Sequence, residues 1–396
     1  MSYRSRACAS VGPADIAVSA PINVAAVYVH APFCSRRCLY CDFAVHVSPG
    51  GDLAAWGTAL TGELKGIENE GLFALDATLE TLYVGGGTPS LLGPAAMKTL
   101  GELIGPDRLR GSDLEWTAEA NPESLTPELA ASWRAAGTNR LSIGVQTFEE
   151  GALRWMGRLH GSEGAAQAVG NAKEAGFDNL SVDLIFGLPA RLGRSWSDDL
   201  ERVLRLDVPH VSLYGLTIEP ATPLGRALED GRETPVDEEQ YRDEFLMAAE
   251  VLTHAGYEHY EVSNFARPGF ASRHNAVYWD GRPYLGLGNG AHSFADPCRR
   301  WNVRDWPSYQ AIASAGSVAE EERETVDAAE RALERTWLGL RTRSGLAFDS
   351  LSDRQRQIVE GWSQQGWTVP GSERVRLNAE GWLILDQLAV ELDGAA

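Results

Sequence analysis

Between Val24 and Tyr214 the chain alternates between short apolar runs, six in all, and segments with helical spacing. The apolar runs are Val24–Val29, Leu79–Val84, Leu114–Glu119, Arg140–Gly144, Asn179–Ile185 and His210–Tyr214. Short runs rich in aliphatic and β-branched residues, bounded by glycine or proline, read as buried strands. The segments between them carry apolar residues three and four apart, as at Leu53, Trp56, Leu60, Leu64 and Ile67, the stripe of an amphipathic helix. Strand and helix in alternation imply a parallel sheet, and right-handed crossovers curl the units in one direction. The expected fold is therefore α/β, a partial (β/α)6 TIM-like barrel over residues 21–256.

The rhythm changes on either side of it. Residues 1–20 read as an N-terminal tail, 257–317 as a loop-rich connecting segment, and 318–396 as a small, mainly helical C-terminal domain. In that last part Glu330–Arg341 has the pattern of an amphipathic helix. Arg374–Leu388 suggests a short strand, a turn and a closing helix, with the look of a winged helix.

In β/α barrels the active site lies at the carboxyl ends of the strands. Here those ends carry Cys34, Cys38 and Cys41, then Gly85–Thr88, Glu119–Pro122, Gly144–Gln146, Asp183 and Gly215–Thr217. Polar and glycine residues gather where a site is expected.

Three of the five cysteines fall within eight residues, directly after the first run. Pro32 has no N–H for a ladder, so the cysteines are expected on a loop leaving a strand end. Soft thiolates suit zinc or an iron–sulfur cluster. Zinc would take its fourth ligand from His30, Asp42 or His46; a 4Fe–4S cluster would keep one iron open. Cys8 and Cys298 are isolated and read as ordinary thiols.

Charge and hydropathy exclude other classes. The net charge is −20 with no extended basic patch, which sets nucleic acid aside as a partner. No apolar run is long enough to span a bilayer, and none follows Arg4 and Arg6 as a secretory signal would require. A cytoplasmic location is expected, where clustered cysteines serve as metal ligands more often than as disulfides.

The cysteine loop, Gly85-Gly-Gly-Thr-Pro89, Leu141-Ser-Ile-Gly-Val-Gln-Thr-Phe148 and Val182-Asp-Leu-Ile-Phe-Gly-Leu-Pro189 together resemble the radical S-adenosylmethionine superfamily. More narrowly they resemble the oxygen-independent coproporphyrinogen III oxidase family and its haem-chaperone branch, from about Val24 to the C-terminus. The resemblance implies a 4Fe–4S cluster on Cys34, Cys38 and Cys41. Its open iron would be chelated by the amino and carboxylate groups of S-adenosylmethionine, which an electron from the cluster cleaves to a 5′-deoxyadenosyl radical. It also implies that Tyr28, Gly86 and Glu119 bind this ligand, with Tyr40 over its adenine or over a second ligand. Gly87, Thr88, Gln146, Arg158, Asp183 and Thr217 match positions for a second S-adenosylmethionine, and His292 follows a glycine-rich turn at the same site.

Physical reasons accompany these assignments. Glycines without side chains let backbone approach a ligand closely, and Glu119 can pair with an ammonium or bond a ribose. The plainer alternatives are a core tyrosine at Tyr28, a solvated carboxylate at Glu119 and a surface arginine at Arg158.

Two departures bear on the branch. Phe43 stands where oxidase members carry a further cysteine, and only 27 residues precede Tyr28. The phrase His274-Asn-x-x-Tyr-Trp279 belongs to the haem-chaperone branch. It implies haem contact by His274, Tyr278 and Trp279; the plain alternative for His274 is a hydrogen-bonded structural histidine. The expectation is a haem chaperone that passes haem to haem-requiring proteins, respiratory and membrane-associated ones among them, with an electron donor and a homodimeric state. The alternatives are oxygen-independent decarboxylation of coproporphyrinogen III and radical chemistry on another substrate.

Overall fold

The computed structural model describes residues 20–395; Arg4, Arg6 and Cys8 lie outside the described residues. All six expected strands form: β1 (Ala26–Ala31), β2 (Thr81–Gly86), β3 (Glu115–Ala120), β4 (Arg140–Gln146), β5 (Asn179–Phe186) and β6 (His210–Gly215). Their limits differ from the expected ones by at most two residues. Helices α1 (Leu53–Glu70), α2 (Ala96–Ile104), α3 (Pro127–Ala136), α4 (Gly164–Glu174) and α5 (Trp196–Leu206) supply the crossovers, and α6 (Glu238–His254) follows β6. The Asp52 side chain caps α1 by accepting from the Ala55 amide at 2.9 Å, and Gly71, with φ 72°, ends it in the left-handed conformation.

The six strands pair in parallel and in sequence order. Residues 257–317, read from the sequence as a loop-rich connection, in fact enlarge the sheet. Here lie β7 (Glu258–Glu261), β8 (Asn264–Ala266), α7 (Arg273–Trp279), β9 (Leu285–Leu287), β10 (His292–Ala295), β11 (Cys298–Asn302) and α8 (Trp306–Ser314). β8 pairs antiparallel with β6 and carries β7 beyond it, while β9 adds parallel to β1. The edge strands β7 and β9 are not paired with each other, so the nine-stranded sheet stays open. Strands of three or four residues carry too little alternation to stand out in a sequence.

After α8 the chain forms β12 (Glu320–Thr325), which pairs antiparallel with β11, then α9 (Ala328–Arg341), α10 (Asp353–Gln364) and α11 (Leu385–Asp393). Arg374–Val375 pairs with Leu346–Ala347 before the closing helices, matching the expected strand, turn and helix. One apolar core runs from Leu82, Trp116 and Ile143 in the sheet to Leu340, Trp362 and Leu392 near the C-terminus. Each large side chain so buried stabilises the fold by about 1.5–3 kcal/mol.

Candidate functional site

At the carboxyl ends of β1 to β6 lies a cavity of about 870 Å³, within the range of small-molecule sites. Its walls bring together Tyr28, Cys34, Cys38, Tyr40, Cys41, Gly86, Gly87, Thr88, Glu119, Gln146, Arg158, Asp183, Thr217, His274, Tyr278 and His292. Of the residues expected to bind S-adenosylmethionine, the cluster or haem, Trp279 is absent from the lining. It lies under the Arg341 guanidinium, 4.2 Å from the ring centre.

The cysteine loop is fastened at both ends. Pro32 ends β1 as expected, but Phe33–Cys34 then pairs in parallel with His46–Val47. The His46 amide donates to the Pro32 carbonyl at 2.8 Å and the Ser48 amide to the Cys34 carbonyl at 2.9 Å. Cys34 Sγ lies 3.5 Å from Thr88 Oγ1. Burial pushes the Cys34 thiol up to about 11 and raises Cys41 as well, so these thiols become thiolates on binding a metal rather than beforehand.

Among the described residues no three His, Cys, Asp or Glu side chains converge on a point that would hold a single metal ion. The candidate fourth zinc ligands are also committed elsewhere. His30 bonds Tyr28 Oη at 3.1 Å and the Ala44 carbonyl at 3.0 Å through its two nitrogens. His46 packs edge-on against Phe33 and does not line the cavity, and Asp42 pairs with Arg304 at 3.7 Å. Three thiols in the cavity lining, with no group among the described residues to complete them, fit a multi-iron cluster whose irons each take one thiolate. They do not fit a closed zinc site.

Across the cavity Glu119 accepts from the Gly86 amide at 3.0 Å and from Tyr83 Oη at 2.8 Å. It meets water only through the cavity. Burial raises its carboxyl to about 7, the Tyr83 bond opposes the rise, and the nearby Asp183 adds to it. The three glycines make room for protein as much as for ligand. A Cβ on Gly85 would lie 2.8 Å from the Glu119 carboxylate, on Gly86 2.3 Å from the His30 ring, and on Gly87 2.8 Å from the Ala31 carbonyl.

Further round, Asp183 accepts from Ser142 at 2.9 Å and Ser181 at 3.3 Å. Arg158 is no surface arginine: it donates to Asn121 Oδ1 at 2.8 Å and to the Gly144 carbonyl. Gln146 has φ 69° at a register shift between β4 and β5. A bulge that re-aims a side chain is a feature of strand ends beside sites. Thr217 sits exposed at the rim.

The haem-branch phrase forms α7, whose first amides, Arg273 and His274, donate to the Glu115 carboxylate at 3.0 Å each. His274 is buried, with Nδ1 2.8 Å from Thr81 Oγ1 and Nε2 2.8 Å from Tyr278 Oη. Burial, with Arg140 adding to it, lowers its pKa to about 3. The ring is neutral, but both nitrogens are engaged, so the geometry matches the hydrogen-bonded alternative and not a free ligand. Tyr278 is the member of the phrase that it props toward the cavity.

Sequence reasoning passed over Tyr83, which holds Glu119 and stacks on His274 at 5.1 Å. The period-two rule carries the signal: Thr81, Tyr83 and Gly85 share one face of β2, and that face meets His274 and Glu119.

A cluster-type cysteine loop at the carboxyl end of an open parallel α/β sheet, facing glycines and a carboxylate, defines a radical S-adenosylmethionine protein. The Radical SAM superfamily pattern matches residues 28–203. "Heme chaperone HemW" of Mycobacterium tuberculosis is 35% identical over 376 residues, covering 93% of this chain and 94% of that protein. The bovine "Radical S-adenosyl methionine domain-containing protein 1, mitochondrial" is 33% identical, covering 93% of this chain and 87% of its own. The solved coproporphyrinogen III oxidase (HemN) of Escherichia coli shares the fold, with TM-score 0.75 at 23% identity over 96% of this chain and 91% of that one. The chain belongs to the HemW family. Membership in the superfamily implies a 4Fe–4S cluster and S-adenosylmethionine. No helix among the described residues is long and apolar enough to cross a membrane.

Proposed function

We propose that this protein binds haem and hands it to haem-requiring proteins. The observation that carries the reading is the likeness, nearly end to end, to a protein named heme chaperone. Phe43 supports it: in the cavity lining, at the position where oxidase members carry a further cysteine, stands a phenyl ring 61% exposed.

In this reading Cys34, Cys38 and Cys41 hold the cluster, and Glu119, Gln146, Arg158 and Asp183 hold S-adenosylmethionine in the cavity. When bound, the cluster supplies the electron for reductive cleavage of the sulfonium; that electron comes from a donor outside the chain. Glu119 accepts a hydrogen bond from the ligand's amino group, and Tyr83 and the Gly86 amide hold Glu119 in place. Thr88 orients the Cys34 sulfur. A reducing compartment such as the cytoplasm keeps the thiols available to iron.

The test is a haem titration of the anaerobically reconstituted chain, followed at the Soret band, with transfer to apomyoglobin as the second step. Saturable binding followed by transfer is expected. No saturable binding overturns the reading. Formation of protoporphyrinogen from coproporphyrinogen III in a parallel anaerobic assay would move the chain to the decarboxylating class.

A further inference from the structure

We infer that Asp183 passes its proton to the far end of the sheet, away from the cavity, through a relay of Ser181, His210 and Tyr260. This rests on the reading that the cavity beside Asp183 takes S-adenosylmethionine, and it gives a route to the proton that a cationic ligand displaces.

Strand pairing builds the relay. Ser181 and Asp183 are two residues apart on β5, and His210 and Ser212 two apart on β6, so each pair shares a face. The register sets Ser181 beside His210 and Asp183 beside Ser212. Asp183 lines the cavity, whereas His210, fully buried, is the first residue of β6 and so lies toward the opposite end.

The links are continuous. Ser181 Oγ lies 3.3 Å from Asp183 Oδ1 and 2.8 Å from His210 Nδ1. His210 Nε2 in turn lies 2.8 Å from the hydroxyl of Tyr260, on β7. Tyr260 is only half-buried, and its oxygen accepts from the Ser272 amide at 3.1 Å, which leaves its own proton for His210 or for water. Ser212 Oγ, 3.2 Å from Ser181, joins the same node.

Such a chain has two self-consistent orientations. When Asp183 is protonated it donates to Ser181, Ser181 donates to Nδ1 of His210, Nε2–H donates to Tyr260, and Tyr260 donates to water. One hop along every link then moves a proton from Asp183 to water at Tyr260. Each O–H or N–H bond breaks as the next one forms, and no electrons change hands. The chain is left pointing the other way: Tyr260 donates to Nε2, Nδ1–H to Ser181, and Ser181 to the Asp183 carboxylate. That is the orientation an anion needs, so His210 changes tautomer while remaining neutral.

The surroundings suit this exchange. Burial raises the Asp183 carboxyl, against the bonds from Ser142, Ser212 and Ser181 and the nearby Arg140. Asp183 in turn helps to raise Glu119, so a cation arriving between them displaces protons. Tyr83 and Tyr214, which also face Asp183, are raised as well and stay protonated. Burial, with Arg140 adding to it, holds His210 well below the usual imidazole range, so the ring passes a proton on without keeping it. At Tyr260 burial outweighs Arg140, and Glu261 and Glu115 add to the rise, so a proton lost there is at once replaced from His210.

Nitrogen NMR of the full, anaerobically reconstituted chain, with isotopically labelled histidine rings, reads the tautomer; His210→Phe identifies the signal. At a pH low enough to protonate Asp183, Nε2–H is expected, and added S-adenosylmethionine should switch it to Nδ1–H. Ser181→Ala, which removes a single oxygen, should leave Nε2–H in place throughout. A network with a purely structural role keeps one tautomer in every condition. In stopped-flow mixing with saturating S-adenosylmethionine and a pH indicator, the unsubstituted chain should release protons promptly. Proton transfer by a positioned side chain contributes about a hundredfold or more, so Ser181→Ala should slow one phase of that release by about this factor. The same tautomer with and without ligand, or a switch that persists in Ser181→Ala, would overturn the relay while calorimetry still records binding of S-adenosylmethionine. Absence of that binding in the unsubstituted chain would instead defeat the reading on which the relay rests.

Discussion

The amide of Gly86 and the carboxylate of Glu119 are joined by a 3.0 Å hydrogen bond from the end of β2 to the end of β3. With Tyr83 at 2.8 Å on its other oxygen, the carboxylate is oriented before any ligand arrives. Its raised pKa, about 7, marks a site that lacks a cation, and a cationic ligand such as the sulfonium of S-adenosylmethionine would stabilise the anion. S-adenosylmethionine should therefore bind more tightly as pH rises through about 7. Glu119→Gln should remove that contribution and cost about 1.5–3 kcal/mol, the range for a hydrogen bond to a charged group. Anaerobic calorimetric titration at several pH values measures both; equal affinity in the variant would show that Glu119 does not touch the ligand.

Glu63 is a second buried carboxylate raised to about 7, mainly by burial, and its work is structural. It accepts from the Gly288 amide at 2.9 Å, from Tyr309 Oη at 2.6 Å and from Asn302 Nδ2, tying α1 to the glycine turn before His292. Because its folded pKa lies above the unfolded one, the native state keeps a proton that the unfolded chain has released. Its contribution to stability is therefore full at low pH and falls as pH rises from about 4.5 to about 7. Glu63→Ala should flatten that part of the profile and destabilise the protein by about 1–3 kcal/mol for each orphaned donor. Denaturant unfolding at pH 5 and pH 8 provides the comparison.

The metal content separates the two readings of the cysteine loop. Anaerobic reconstitution with iron and sulfide should load about four of each per chain, as a 4Fe–4S cluster requires. Cys38→Ala should lose most of both. Stoichiometric zinc without acid-labile sulfide would favour the closed-site reading, against which the engaged nitrogens of His30 and the Asp42–Arg304 pair already argue.

How much of this the chain displays in one dimension depended on range. β1 to β6 were legible because each is five or more residues of dense apolar sequence with glycine or proline beyond it. β9 was not: Leu285 and Leu287 flank a glycine, and only the fold puts them beside Val27 and Val29. The cysteines, Glu119 and Asp183 could be picked out as chemistry at strand ends. The state of His274 could not, because its partner Thr81 is 193 residues away, and the same phrase would read alike with a free ring. Nor does sequence tell that Gly85 and Gly86 are glycine because Glu119 and His30 fill the space above them.

Two of the three glycines in helix α1, Gly57 and Gly62, should respond to replacement in opposite ways. On helical propensity alone, glycine to alanine in a helix interior gains about 0.5–1 kcal/mol. Gly57 is free to realise that gain, since the nearest atom to a Cβ there is the Thr99 methyl carbon at 3.5 Å. At Gly62 a Cβ would fall 2.0 Å from the Ala313 carbonyl oxygen, near the end of α8. Backbone must move there, and the movement would reach Tyr309 on α8, which donates to Glu63 on α1. Overpacking of this kind costs about 1–3 kcal/mol or more, enough to exceed the propensity gain. Gly57→Ala should raise the melting temperature slightly and Gly62→Ala should lower it by several degrees, both read by calorimetry on the same preparation. A Gly62→Ala protein as stable as Gly57→Ala would mean that α1 and α8 do not pack this closely.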